Sequence, residues 1–408
     1  MGFDLSRALF IGFAISSREF DDLLEHDHGM PHQTQRFGWL VVEALAAGGF
    51  EVALISAVPA LDYPRNDRVW YPRGKFVDRG VSGSTVAFCN VTGIKHLTRF
   101  VSARSTGKRQ CKGAEPPDII FVHGAHSPFL WSSIRLGRRY GTPVVPILTD
   151  LPGQRTRFDT LVSRTLKRID GRLISAGLKK VDGVIVLTDR LAQDLAPGVP
   201  YLRMEGIAKP LASDAPGPVY PPHGHRTVVY AGGLRREYGV GSLLEAVSRS
   251  EGDWNLRIYG HGPLMEEVTA AAASNPRIFY GGLADEAELA RAYADADLLV
   301  NPRPTTEDFT LYSFPSKLLE YLATGRPAMS TRLPGVSVDF EPYLYWTDSD
   351  ADSLAASIDR ICAQSDEALA TKGAQGRDFA LSTRGVTAQG RRIREFISVL
   401  EPSASVHR

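Results

Sequence analysis

One run in the last third of the chain carries the clearest chemistry. Tyr312-Ser313-Phe314-Pro315-Ser316-Lys317-Leu318-Leu319-Glu320-Tyr321-Leu322-Ala323-Thr324-Gly325 sets a cation and a carboxylate three residues apart. Pro315 suits the first helical position, where its missing N–H costs nothing, and Gly325 with Pro327 beyond it stops the helix. Leu318, Leu319 and Leu322 make the buried stripe. The start of such a helix offers free N–H groups and the positive end of its dipole to an anion, and Lys317 adds a point charge. Glu320 lies five residues after Pro315, about 7.5 Å further along the axis at 1.5 Å per residue. That separation fits a diphosphate at the tip and ribose hydroxyls on the carboxylate. The same residues also fit a capped surface helix in which Lys317 and Glu320 form an i,i+3 ion pair.

In the first half, strands place the candidate groups. His123 directly follows the apolar run Asp118–Val122, and side chains at the carboxyl ends of parallel strands line the crevice where ligands bind. A neutral histidine there can hydrogen-bond a substrate or steady developing charge. His126 is one loop turn on. Asp150, after Pro143–Leu148, either touches an acceptor hydroxyl or caps the turn beside Pro152. Glu205 reads as structural, and Gly12 permits close backbone approach. No HExxH and no Cys–His pairing occurs, so no metal is expected. Gly260-His261-Gly262 lacks the third glycine and the acidic residue of a dinucleotide fingerprint, which argues against a dehydrogenase.

These groups need strands and helices to hold them, and the pattern supplies both. Apolar runs at Ala8–Phe13, Glu51–Ser56, Asp118–Val122, Pro143–Leu148 and Gly183–Leu187 alternate with helical patterns at Arg36–Ala47, Leu130–Arg139 and Phe158–Val181. Ala8–Phe13 leads into a polar loop reaching Gln35, whose part His26–Gln35 is expected to border an acceptor site. Proline-dense 209–225 reads as a stiff linker. The alternation then restarts: Thr227–Ala231, Val240–Ser248, Asn255–Tyr259, Pro263–Ala273, Ile278–Tyr280, Glu286–Ala294, Leu298–Asn301, Pro315–Ala323, Ala328–Thr331, and a last helix at Val386–Leu400. Fully apolar strands have both faces covered, the mark of a parallel sheet flanked by helices. The expected fold is α/β, two Rossmann-like doubly wound domains facing across a cleft, with residues 1–208 as one domain, 226–385 as the other, and 386–408 as a helix and tail packing back on the first.

Composition bounds the partners. The chain has 408 residues, 43% hydrophobic and 23% charged, beyond the roughly 250–300 residues of a single core. No apolar run reaches the roughly 18–20 residues of a membrane-spanning helix, and no signal peptide is read at the N-terminus. Cys89, Cys111 and Cys362 form no disulfide framework, which fits a reducing cytoplasm. Net charge is +1, yet 17 Lys/Arg stand against 5 Asp/Glu between Lys95 and Lys180. Such polarity fits either a solvated basic face or an anionic partner, a lipid phosphate or membrane surface, and no nucleic-acid signature accompanies it. The pattern Phe158–Lys180, with Arg164, Lys167, Arg168 and Arg172 among Leu161, Leu166, Ile169 and Leu173, fits either an anionic membrane surface or a sheet-covering helix with a basic outer face.

The run from Tyr312 resembles the C-terminal signature of family 4 glycosyltransferases, enzymes of GT-B fold, and more narrowly a subgroup of bacterial surface-polysaccharide and glycolipid enzymes. Val228–Gly233 with Tyr238-Gly239-Val240 resembles their first donor-domain strand and phosphate loop. Leu256–Leu264 resembles their strand and Gly-x-Gly-Pro-Leu element, and Ile278–Leu283 their base-binding loop. The resemblance implies a retaining transfer from a nucleotide-sugar donor to a saccharide or lipid-linked saccharide, without metal or other cofactor. Taken with the residue-by-residue reading, donor contacts are expected at Gly232, Gly233, Arg235, Arg236, Gly260, Gly262, Gly282, Tyr312, Ser313, Phe314, Ser316, Lys317 and Glu320, and catalytic roles at His123, whose place matches a catalytic or sugar-contacting position of the family, and at Asp150 and Lys317. The family's paired glutamates, eight positions apart, are here Tyr312 and Glu320. Its phosphate-loop Arg and Lys are absent, leaving Arg235, Arg236 or Lys317 to supply the charge. Competing expectations are a nucleotide-sugar epimerase or phosphorylase on the same fold, or a non-catalytic sugar-nucleotide-binding subunit.

Overall fold

The computed structural model describes residues 6–26, 32–113, 115–152, 161–210 and 225–400. Most of the proline-rich linker, the start of the Phe158–Val181 pattern, part of the loop before Gln35 and the tail from 401 lie outside the described residues. The chain divides into two compact units, Met1–Met204 with Val386–Arg408, and Glu205–Gly385. The division falls four residues before the expected end of the first domain.

The strands of the first unit are β1 (Ser6–Gly12), β2 (Phe50–Ser56), β3 (Trp70–Tyr71), β4 (Gly74–Asp78), β5 (Val81–Thr85), β6 (Phe88–Cys89), β7 (Ile119–His123), β8 (Val144–Leu148), β9 (Val184–Val186) and β10 (Tyr201–Arg203). Its helices up to residue 204 are α1 (Ser17–His26), α2 (His32–Ala47), α3 (Ile94–Gly113), α4 (Ser127–Tyr140), α5 (Leu161–Leu178) and α6 (Asp189–Leu195). The main sheet runs β10-β9-β8-β7-β1-β2-β5-β4. All its pairings are parallel except that of edge strand β4 with β5. Strands β7 and β8 are buried at every position, as helices on both faces require.

The second unit holds β11 (Arg226–Ala231), β12 (Trp254–Tyr259), β13 (Ile278–Tyr280), β14 (Leu298–Asn301), β15 (Ala328–Thr331) and β16 (Tyr345–Thr347), with α7 (Val240–Arg249), α8 (Met265–Ser274), α9 (Glu286–Ala294), α10 (Ser316–Ala323), α11 (Ala351–Cys362) and α12 (Asp366–Arg384). Its sheet is wholly parallel, in the order β13-β12-β11-β14-β15-β16. This is the 3-2-1-4-5-6 arrangement of doubly wound folds. Val228, Leu256, Leu298 and Met329 form its core with Leu243, Val247, Leu354 and Ile358 from the covering helices.

A last helix, α13 (Val386–Ser398), belongs to the first unit. It crosses α2 backbone against backbone, since a Cβ on Gly390 would lie 2.2 Å from the Ala44 carbonyl oxygen. Arg394 donates to the carbonyls of Gly48 and Gly49, which are unsatisfied at a helix end.

Three elements depart from the sequence expectation. The polar loop after β1 contains α1, started by Ser16 and Glu19. The Glu19 carboxylate accepts from Ser16 N at 3.2 Å, and Ser16 Oγ accepts from Glu19 N at 3.3 Å. This reciprocal capping satisfies N–H groups the helix leaves open. Helix α3 was not expected, and it is inverted: Lys95, Arg99, Ser102 and Thr106 are buried while Ile94, Leu97 and Val101 are exposed. Helix α5 likewise turns Leu166, Ile169 and Leu173 outward, so those three leucine and isoleucine side chains do not cover the sheet.

Candidate functional site

In the second unit the strand order reverses between β11 and β14, and ligands of doubly wound sheets bind beyond the carboxyl ends at that point. The loops there are packed through their backbones. Gly232 N donates to Tyr259 O at 3.0 Å, Leu234 N to His261 O at 3.0 Å, and Gly260 N to Gly282 O at 2.7 Å. Gly260 has φ +138°, and a Cβ on it would stand 1.8 Å from Gly232 O. Gly239, at φ +79°, sits against Pro302, whose carbonyl oxygen would be 1.9 Å from an added Cβ. Tyr230 and Tyr280 hydroxyls donate to the carbonyls of Gly233 and Gly260 at 2.8 and 2.9 Å. Five expected donor contacts, Gly232, Gly233, Gly260, Gly262 and Gly282, therefore lie on one connected set of loops.

Helix α10 is pinned beside the same strand end. The Tyr321 hydroxyl bonds both Ala231 N and Ala231 O at 3.1 Å. Burial pushes its pKa up, so it keeps the proton it donates. Pro315, expected as the first helical residue, forms the N-cap instead, and Ser316 opens the helix in an exposed position. Phe314 lies beneath the tip, buried, with its ring 5.4 Å from that of Phe340. Tyr312 is half-buried. The Ser313 hydroxyl oxygen is buried and has no hydrogen-bond partner.

Lys317 Nζ donates to Glu320 Oε1 at 2.9 Å and to the Tyr293 hydroxyl at 3.2 Å, and that hydroxyl donates to the same Glu320 oxygen at 3.0 Å. The i,i+3 pair is thus formed, and the two charges converge instead of standing a helical turn apart. The reason is geometric: helical side chains lean toward the N-terminus and the lysine stem is long.

The basic residues expected beside the glycine loop divide. Arg235 is exposed. Arg236 is paired with Glu267 of α8 at 2.9 Å, with 74% of its side chain exposed, which turns its charge toward that helix. A residue the sequence reading passed over stands closer to the switch point. Arg303 follows β14 by two positions, and its guanidinium lies 4.6 Å over the Tyr238 ring and 5.3 Å from that of Phe309. Its Nε is buried without a partner, and burial lowers its pKa. It is a half-buried cation at the carboxyl end of a central strand, with the chemistry to bind a phosphate. Its signal was present in the sequence as the first charge after an apolar strand.

In the first unit the order reverses between β1 and β7. His123 ends β7, 3% exposed, with Phe10, Phe13 and Phe37 rings 5.8, 6.3 and 5.8 Å away. A Cβ on Gly12 would fall 2.5 Å from His123 Cβ. Burial pushes the imidazole down to about 4, and its Nδ1 has no partner. It is a neutral imidazole with unused hydrogen-bonding capacity. Asp150 is exposed beyond β8, accepting from Thr149 Oγ1 at 2.9 Å. Glu205 belongs to the second unit, where Arg384 Nε donates to it at 3.1 Å. Among the described residues no group of three or more His, Cys, Asp or Glu is placed to hold a metal ion, and no helix is long and apolar enough to cross a membrane.

Comparison with known proteins follows the two units. A family described as glycosyl transferases group 1 matches residues 225–364, and one described as a glycosyl transferase 4-like domain matches 35–205. No curated protein matches the sequence. Among solved structures, a sucrose-phosphate synthase from Thermosynechococcus elongatus superposes with a TM-score of 0.65 at 18% identity, covering 96% of this chain and 98% of its own. Anabaena HepE in complex with UDP gives 0.62 at 13%, covering 97% and 100%. The lipopolysaccharide outer core galactosyltransferase WaaB in apo form gives 0.61 at 13%, covering 96% and 99%. At these identities the likeness is one of fold.

Proposed function

The chain belongs to the family 4 glycosyltransferases, and from that premise we propose that it is a retaining enzyme that moves a sugar from a nucleoside diphosphate to a saccharide or lipid-linked saccharide in the making of a surface polysaccharide or glycolipid. The observation that carries the reading is the convergence, at one strand-order reversal, of the glycine loops, the α10 tip and two cations, Lys317 and Arg303. A diphosphate takes the N–H groups of the tip, the Lys317 ammonium and the Arg303 guanidinium, and the ribose hydroxyls take Glu320. HepE, of similar fold, is recorded in complex with UDP.

As the bond from the sugar's anomeric carbon to the phosphate oxygen breaks, negative charge grows on the diphosphate, where these preset donors stabilise it. The acceptor hydroxyl attacks from the same face, its oxygen bonds the anomeric carbon, and its proton passes to the departing phosphate oxygen. No protein nucleophile is needed. The first unit takes the acceptor, with Asp150 meeting its hydroxyl. His123, uncharged and incompletely bonded, hydrogen-bonds a sugar hydroxyl without adding charge. Incubation of the protein with a panel of nucleoside diphosphate sugars and lipid-linked saccharides tests the reading. Transfer with the anomeric configuration kept is the expected outcome. A changed sugar on donor alone indicates an epimerase, and donor binding without transfer across the panel a non-catalytic subunit.

The finer reading of location rests on α3 and α5. Leu97 is 64% exposed and Ile169 48%, and Ile94, Val101, Leu166 and Leu173 on the same two helices are exposed as well. The two helices are neighbours, with His96 Nε2 3.9 Å from Asp170 Oδ1. Arg104, Lys108, Arg164, Lys167, Arg168 and Arg172 share these helices, the combination that holds a helix at an anionic lipid surface. The unpaired cysteines Cys89, Cys111 and Cys362 accord with the reducing, cytoplasmic side. Cosedimentation with vesicles containing phosphatidylglycerol is expected and is lost in the Leu97→Asp, Ile169→Asp double variant. Equal recovery of both proteins contradicts this reading.

A further inference from the structure

The inverted helix α3 buries two cations, and only one of them is accounted for. Lys95 Nζ donates to Ala60 O and to Asp62 Oδ1, each at 2.6 Å. Arg99 is 4% exposed. One of its terminal nitrogens donates to Val58 O at 2.6 Å, and its plane lies 4.2 Å from the Phe88 ring centre and 5.5 Å from that of Phe13. Among the described residues it forms no ion pair, and its Nε is buried without a partner. Burial lowers its pKa to about 9. The Asp62 charge favours the guanidinium, but that carboxylate is bonded to Lys95 and forms no direct pair with Arg99; a buried guanidinium without a direct ionic partner is costly.

A second unpaired group stands beside it. The His126 ring is 5.2 Å from Phe13, 4.7 Å from Phe129 and 5.3 Å from His96. Its Nε2 is buried without a partner. Burial first, then the Arg99 charge, hold its pKa well below 6.5. The carboxylates nearby are already engaged: Asp62 by Lys95 and Thr92, and Asp170 by Ser127. Phe13 follows β1 and His126 follows β7, the two strands between which the order reverses. The cluster therefore lies where a doubly wound sheet receives a ligand.

We infer that Arg99 and His126, both beside Phe13, form a receptor for an anionic oxygen group, a phosphate or a carboxylate, carried by the acceptor. This rests on the reading that the first unit takes the acceptor. An oxyanion supplies the direct ion pair Arg99 lacks and a partner for Nε, and it favours protonation of His126, whose Nε2 then donates to the same group.

The full chain with isotope-labelled histidine tests this by NMR, the His126 signals being assigned by their loss in His126→Gln. Titration with inorganic phosphate and, separately, with glucuronate is expected to shift those signals saturably with at least one probe, and the responding probe tells a phosphorylated acceptor from a uronate. Arg99→Gln is expected to weaken that response about tenfold or more, whereas Lys317→Ala, in the other unit, leaves it intact. Should Arg99→Gln fail to fold, Arg99→Lys serves, since it keeps the charge and loses the Nε donor. His126 signals that ignore both probes, or that respond equally in the Arg99 variants, overturn the proposal. Nucleotide binding followed by calorimetry is a separate readout: its absence removes the donor site and leaves the His126 result standing.

Discussion

Arg303→Met isolates the phosphate role proposed for Arg303 from its packing role. The guanidinium lies over Tyr238 and Phe309 at 4.6 and 5.3 Å, and its Nε has no partner. Methionine keeps the stem and its contact with both rings. The stacking lost is about 1 kcal/mol, and removal of a poorly compensated, part-buried charge offsets much of it, so the melting temperature is expected to move little. Binding differs. A hydrogen bond from a charged donor to phosphate contributes about 1.5–3 kcal/mol, which is roughly 10- to 150-fold in affinity. Calorimetry with a nucleoside diphosphate and its parent nucleoside, on wild type and variant, separates the effects. The diphosphate is expected to lose that factor and the nucleoside almost nothing. Equal losses for both, or an unchanged diphosphate affinity, refute the assignment.

Glu320→Gln is expected to lower affinity for the nucleoside itself by about tenfold or more, about 1.4 kcal/mol, measured by the same calorimetry. Its effect on stability is expected to stay below about 1 kcal/mol, because the Lys317 pair is partly solvated. Gly260→Ala forces a Cβ onto Gly232 O at φ +138°; denaturant titration is expected to show a loss of about 1–3 kcal/mol, with weakened diphosphate binding because both loops move. His123 titrates near 4 in the fold and near 6.5 when unfolded. The unfolded chain therefore binds the extra proton first, and stability falls as pH drops from about 6.5 to 4, by about 3 kcal/mol in all. Denaturation curves at both pH values should show that loss reduced in His123→Gln; an identical slope speaks against a neutral buried imidazole.

The donor half was legible because its elements are short apolar runs between strong punctuation. Ile278–Tyr280, Glu286–Ala294, Leu298–Asn301 and Ala328–Thr331 fall where the pattern puts them. The glycine loops were readable too, since only close backbone approach explains them. Arg303 is not legible from the glycine loop, because it stands two residues after β14, a strand away in sequence from the cations beside the glycines. In the first half, α1 was hidden by the polar composition of Arg18, Glu19, Asp21 and Asp22, although Ser16 and Glu19 held its starting signal. Helix α3 defeated periodicity outright. Its apolar stripe is real but points outward, and no rule that places apolar faces inward can recover it. The side-chain meeting of Lys317 with Glu320 was left open by spacing, and only the lean of the side chains settles it.

The way the second unit is threaded into the first has a temporal consequence. Glu205 and Gly385 mark its ends, and these are drawn together by the Ala208–Gly385 bridge, the Ala208 N–H to Arg384 carbonyl bond at 2.8 Å, and the Arg384–Glu205 contact. During synthesis everything up to Gly385 emerges while α2 still lacks the helix that crosses it. At ribosomal speeds of about 5–20 residues per second, the opening module waits roughly 10–40 s for its final piece. The module translated later can therefore finish folding earlier, and a nascent chain stalled just past 385 should already be protease-resistant in its later portion while its beginning is still open to cleavage.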